Sequence, residues 1–183
     1  MDKKIQKILT FIFLLNLSFF YTLSAQETNK SLPDGYRNIH LGMSLEDTKE
    51  ALTNDSFFGY RGNRDVSLLP SENKSLIETV GSTWLNHSWF QFYKEKLYTI
   101  TLNFNPEELD YHSLFTTLSK KYGDPNTLSP EKTIWQNESI QLVLEQPCSI
   151  KYIDLQVFNS LIDESTTQKS ALEIVRQNLL DEL

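Results

Sequence analysis

Three histidines, His40, His87 and His112, and one cysteine, Cys148, are the side chains in this 183-residue chain best suited to metal ligation or nucleophilic chemistry. The histidines are too dispersed for a metal-ligand spacing, and a zinc site using Cys148 would need the fold to gather them. Surface or half-buried histidines are the expectation. Cys148 reads as a small, at least half-buried hydrophobe rather than a reactive thiol. No G-x-S-x-G elbow, H-E-x-x-H pair or glycine-rich phosphate loop occurs, and six glycines leave little scope for a backbone cradle. The adjacent acids Glu46-Asp47 and Glu107-Glu108 do not face one another on a helix, so their expected duty is to favour its N-terminus. The sequence assigns no catalytic residue, no metal ligand and no cofactor.

What remains is aromatic. Trp84, Trp89, Tyr93 and Trp135 combine large area with a polar handle, the combination favoured at partner-facing surfaces, and they are the candidate binding residues. Core packing competes for each. If Phe90 and Phe92 point inward, Trp89 and Tyr93 share the opposite sheet face with Thr99 and Thr101. That face is then either a helix-covered layer or an open binding patch.

The elements that position these residues follow from periodicity and end signals. Ser44, with Asp47 three residues on, opens a helix over Leu45 to about Thr53. Phe57 to Arg61, Val66 to Leu69 and Ser75 to Val80 read as short strands, the second stopped by Pro70. Ser88–Tyr93 and Leu97–Phe104 form a hairpin about Lys94-Glu95-Lys96, its second strand placing Tyr98, Ile100, Leu102 and Phe104 on one face. Phe90 and Phe92 join that face only if the loop holds an odd number of residues. Tyr111, Leu114, Phe115, Leu118 and Tyr122 make the stripe of an amphipathic helix that Gly123 and Pro125 end. Thr133–Gln136, Ser139–Glu145 and Ile150–Phe158 read as strands, and a helix from about Thr167 carries Leu172, Val175, Leu179 and Leu183 on one stripe. Links between strands are too short for crossover helices, which predicts an α+β fold: a mainly antiparallel sheet with helices on one face, in two degenerate helix-plus-strands units.

The ends of the chain bear on compartment. Lys3, Lys4 and Lys7 precede an apolar run from Ile8 to Tyr21, and Leu23-Ser24-Ala25 offers small residues before a cut, so residues 1–25 read as a signal peptide cleaved near Ala25. The expected organisation is that signal, a flexible lead-in over 26–35, an α+β domain over 36–160 and a C-terminal amphipathic helix over 161–183. The whole chain has a formal net charge of −7, and the signal takes three lysines and one aspartate with it. Such an acidic chain disfavours nucleic acid and anionic lipid. One cysteine excludes an internal disulfide, so a hydrophobic core must hold the domain. N-x-S/T sites at Asn29, Asn54, Asn73, Asn86 and Asn137 would take glycans only in a eukaryotic secretory route.

The segments Leu41-Gly42-Met43-Ser44-Leu45-Glu46-Asp47-Thr48-Lys49-Glu50-Ala51-Leu52 and Leu118-Ser119-Lys120-Lys121-Tyr122-Gly123-Asp124-Pro125 resemble those of the BamE-like and β-lactamase inhibitory protein-like group of small bacterial envelope proteins. The resemblance implies helices leading into a small antiparallel sheet, an aromatic strand pair such as Phe90 to Ile100, a tryptophan such as Trp135 after the second helix, and roles in binding other proteins. The lipid anchor of BamE-like proteins is not carried over, because no cysteine stands near the start of the mature chain. The expected function is an exported, non-catalytic binding or assembly protein of the bacterial envelope, periplasmic or secreted, with another envelope protein as partner. The alternative is a small exported hydrolase whose site assembles from distant residues, which would show a concave polar cluster of histidine and carboxylate.

Overall fold

The computed structural model describes residues 31–68 and 73–181. The signal segment with its cut at Ala25, the sequon at Asn29, the stop at Pro70 and Leu183 lie outside them. A two-stranded ribbon, β1 (Gly35–Tyr36) and β2 (Ile39–His40), leads into helix α1 (Leu45–Thr53). Strands β3 (Val66–Leu68), β4 (Lys74–Val80), β5 (Leu85–Tyr93) and β6 (Lys96–Phe104) follow. After α2 (Tyr111–Tyr122) come β7 (Thr127–Leu128), β8 (Lys132–Gln136), β9 (Ile140–Glu145), β10 (Ser149–Asp154) and the long helix α3 (Leu155–Asp181).

Helix ends obey the local chemistry. The Ser44 hydroxyl accepts from the Asp47 N–H at 3.1 Å and donates to the Asp47 carboxylate at 2.7 Å. Asp110 caps α2 by accepting from the Ser113 N–H at 2.9 Å, and Gly123 ends that helix at a φ of 85°. Both ends of α2 are tied to β8: the Tyr111 hydroxyl lies 2.8 Å from Thr133 Oγ1, and the Trp135 indole N–H donates to the Gly123 carbonyl at 2.9 Å.

The main sheet has eight strands in the order β3-β4-β5-β6-β10-β9-β8-β7, every pair antiparallel. It divides into two four-stranded meanders, each preceded by one helix, and their last strands meet at a β6–β10 seam. The turns repeat as well. Lys94 N–H donates to the Asn73 carbonyl in the first half, and Gln146 N–H donates to the Glu131 carbonyl at the corresponding place in the second. The expected α+β fold with two helix-plus-strands units is the observed one.

Register carries the core across the six inner strands, from β4 to β8. Ile77, Phe90, Ile100, Tyr152, Leu142 and Trp135 stand opposite one another on consecutive strands, and all six are buried. Leu52 of α1, Leu118 of α2 and Phe58 join them from the helical layer. A fully buried side chain of this kind contributes roughly 1.5–3 kcal/mol relative to exposure.

Three local expectations are corrected. Phe57 to Arg61 is not a strand: Asp55 accepts from the Phe57 N–H and starts a 3-10 turn over Ser56–Phe58, which sends Phe58 into the core, and a second such turn spans Gly62–Asp65. The β5–β6 loop has two residues, Lys94 and Glu95, both at positive φ, so its parity alone would pair Phe90 with Thr99. A bulge at Tyr98 adds the missing residue, so Phe90 faces Ile100 after all, and Leu97 takes the core position expected of Tyr98. Finally, the strand expected over Ile150–Phe158 stops at Asp154. Its carboxylate accepts from the Gln156 and Val157 N–H groups, so α3 begins at Leu155 rather than near Thr167 or at 161.

Candidate functional site

With the helical layer on one face, the alternation of β5 sends His87, Trp89, Gln91 and Tyr93 to the other. Neighbouring strands add Glu78 from β4, Thr101 and Asn103 from β6, and Lys151 from β10. This outer face is polar and cross-linked along the rows. Asn103 Nδ2 donates to Ser149 Oγ at 3.0 Å, and Lys151 Nζ reaches Glu145 Oε2 at 2.6 Å. At the end opposite Tyr93, where His87 pairs with Val80, the last residue of β4, the His87 imidazole stacks on the Trp89 indole, with ring centroids 5.6 Å apart and planes 15° from parallel.

Helix α3 borders the outer face. Its first turns run from β10 toward the end of β5, where the Tyr93 hydroxyl donates to the Glu164 carboxylate at 3.0 Å. Lys94 Nζ sits 4.8 Å from the centre of the Tyr93 ring, and its pKa is raised by the hydrogen bond and charge of Tyr93 and then by Glu164. The end of the face at Tyr93 is therefore in contact with a helix, whereas Trp89, also half-buried, stands four residues away beside His87.

The four aromatic candidates are thus not one cluster. Trp89 and Tyr93 share a face of one strand about 13 Å apart, at roughly 3.3 Å per residue. Trp84 lies just before that strand and is 48% exposed. Trp135 is 1% exposed and packs in the core among α2 and β9, so it presents nothing to a partner.

Ser165 and Gln168 still line a cleft with Asn73, Lys74 and Tyr93, and beyond them the helix is exposed. Leu172, Val175, Leu179 and Leu180 are 69, 55, 60 and 52% exposed. From Lys169 to Asp181 this arm is about 20 Å long at 1.5 Å per residue. Sequence reasoning saw its stripe but not its reach. The apolar spacing of Ile150–Phe158 suits a buried strand, and only Asp154 signalled a helix start within it.

Chemistry at the histidines is sparse. His40 Nδ1 lies 2.9 Å from Asp34 Oδ1, and Asp34 edges a cleft of about 620 Å³ with Glu138, Asp154 and Asn159. Among the described residues no hydroxyl or thiol is hydrogen-bonded to a histidine side chain, which is the pairing an activated nucleophile requires. The Cys148 thiol donates to the Leu109 carbonyl at 2.9 Å, and burial, then the Asp110 charge, push its pKa up, the wrong direction for a nucleophile. No group of three or more His, Cys, Asp or Glu side chains that could hold a metal occurs among the described residues. None of their helices is long and apolar enough to cross a membrane.

Comparison with known proteins places the TP0088 domain on residues 34–164, from the lead-in ribbon to the turn of α3 that touches Tyr93. No curated protein and no solved structure matches the chain.

Proposed function

This chain belongs to the TP0088 domain family, and we propose that it is an exported, non-catalytic binding or assembly protein of the bacterial cell envelope, acting through protein–protein contacts. The observation that carries the reading is the α3 arm, whose Leu172, Val175 and Leu179 are each more than half exposed along one stripe. Contiguous exposed apolar surface marks interaction sites, and an amphipathic helix laid into a partner's groove is a recurring mode of recognition. An isolated helix of this length is marginal in water, so an arm of this composition gains stability from being covered.

Export rests on the basic and apolar run of residues 3–21, and the binding role also accords with the resemblance to the BamE-like and β-lactamase inhibitory protein-like group. Another envelope protein is the partner this reading expects. Trp89, on the outer face beside His87, and Trp84 are the aromatic side chains placed to join such an interface.

The test uses the chain from Gln26 to Leu183 as bait in envelope extract, beside a variant carrying Leu172→Gln, Val175→Gln and Leu179→Gln. A protein retained by the first and lost by the second, with equal thermal unfolding of the two baits, supports the reading. Equal recovery by both removes the arm from it, and turnover of hydrolase substrates with no partner recovered overturns it. Intact-mass measurement on cell fractions checks the export step: full-length product in the cytosol would count against the envelope.

A further inference from the structure

We infer that protonation of His87 at Nδ1 closes an ion pair with Glu78 and fixes Trp89 beneath the imidazole, making this end of the outer face a two-state, pH-sensitive surface. The geometry is unusual for a surface histidine. His87 is 44% exposed as a side chain, yet its Nδ1 atom is shielded from solvent and has no hydrogen-bond partner. The nearest carboxylate oxygen, Glu78 Oε1, stands 3.9 Å away, beyond hydrogen-bond reach.

A neutral imidazole explains this arrangement. With its proton on Nε2, the ring leaves Nδ1 as an acceptor that has nothing to accept, and the Glu78 carboxylate, an acceptor too, gains nothing by approaching. Adding a proton reverses the relation. Nδ1 becomes a charged donor, and Glu78, half exposed and free to change rotamer, is placed to receive it. The ring is already parallel to the Trp89 indole, so the same proton puts a cation over an aromatic face.

Among the described residues of the flanking strands no other charge stands beside His87, Lys74 of β4 lying at the far end opposite Tyr93. On the outer face Glu78 is the charged residue that β4 turns toward His87, and β6 turns the neutral Thr101 and Asn103 toward it. Lys151 lies on β10, two strands from β5, and is held by Glu145. The change therefore draws together three residues that now touch loosely, and leaves the rest of the sheet as it is. It belongs to the folded chain itself and needs no partner to occur.

The experiment is acrylamide quenching of tryptophan fluorescence on the whole chain across a pH series from about 8 to about 5. The Trp89 contribution is isolated by difference with Trp89→Phe, which leaves Trp84 and Trp135 as the background. The expected result is a Trp89 component less accessible to quencher in acid, with that pH-dependent change lost in both His87→Gln and Glu78→Gln. Nitrogen-detected NMR of His87 should place the added proton on Nδ1. An equal change in Glu78→Gln, or no change in the unsubstituted chain, overturns the inference, whatever the fate of the α3 arm in the capture experiment.

Discussion

The indole N–H of Trp135 donates to the carbonyl of Gly123 at 2.9 Å, joining the middle of β8 to the residue that ends α2. One side chain thereby fills the core and satisfies a carbonyl at a helix end. Trp135→Ala should cost about 3–5 kcal/mol, as large aromatic truncations do. Trp135→Phe keeps most of the volume but strands the Gly123 carbonyl, at about 1–3 kcal/mol. Urea unfolding followed by far-UV circular dichroism separates the two.

Thr79 and Ser88 face each other across β4 and β5, both wholly buried, with hydroxyl oxygens 2.6 Å apart. Among the described residues each hydroxyl has the other as its side-chain partner. Thr79→Val or Ser88→Ala alone should destabilise by about 1–3 kcal/mol by leaving one hydroxyl unpaired. The double variant should cost less than the two singles combined, and a double-mutant cycle measures the difference.

Gly59 and Gly62 both adopt positive φ, at 62° and 82°, but their surroundings differ. A Cβ on Gly59 would overlap the carbonyl oxygen of Val80, whereas nothing lies within 4 Å of one on Gly62. Gly62→Ala should therefore show only left-handed strain, about 1–2 kcal/mol. Gly59→Ala adds a backbone collision and should be clearly worse, read as a lower melting temperature than that of Gly62→Ala.

Burial raises the pKa of Tyr152 strongly, and those of Tyr98 and Tyr122 in the same direction. The folded state thus resists ionising phenols that the unfolded chain ionises near 10. The stability so conferred is whole below pH 10 and falls as pH rises beyond it toward the folded values. Denaturant midpoints should drop steeply above about pH 10, and Tyr152→Phe should flatten that drop more than Tyr98→Phe or Tyr122→Phe. The part of the phenolate absorbance that Tyr152→Phe removes should rise together with unfolding rather than before it.

Much of this architecture was legible because several signals agreed at the same residues. The α2 stripe, its acidic lead and its Gly123 stop all named one helix, and β6 could be read from alternation alone. Failures fell where one signal stood for two structures. The apolar run Ile150–Phe158 suits a strand throughout, and the change to helix at Asp154 hangs on a single carboxylate capping two N–H groups. Phe57 and Phe58 looked like strand residues because aromatic side chains favour sheets, but Asp55 turns the backbone first. The bulge at Tyr98 leaves no mark in composition, since it is a matter of register between two strands.

The outer face was legible only in part for the same reason. Alternation placed Trp89 and Tyr93 together, yet which of them touches α3 depends on where that helix runs, and that follows from its unexpected start. Trp135 shows the reverse. Its place on β8 was foreseen, but its orientation is set by Leu142 opposite and by the carbonyl of Gly123.

Every neighbouring pair of strands in the large sheet but one is consecutive in sequence; the exception is the seam, where Thr99–Asn103 meets Ser149–Ile153. Opened there, each half would bare a strand edge whose complement is carried by every other copy of the chain. Domain-swapped dimers formed through that exchange are the misassembly this topology invites. Refolding at rising protein concentration, followed by size-exclusion chromatography, would reveal them as a two-chain species with unchanged secondary structure.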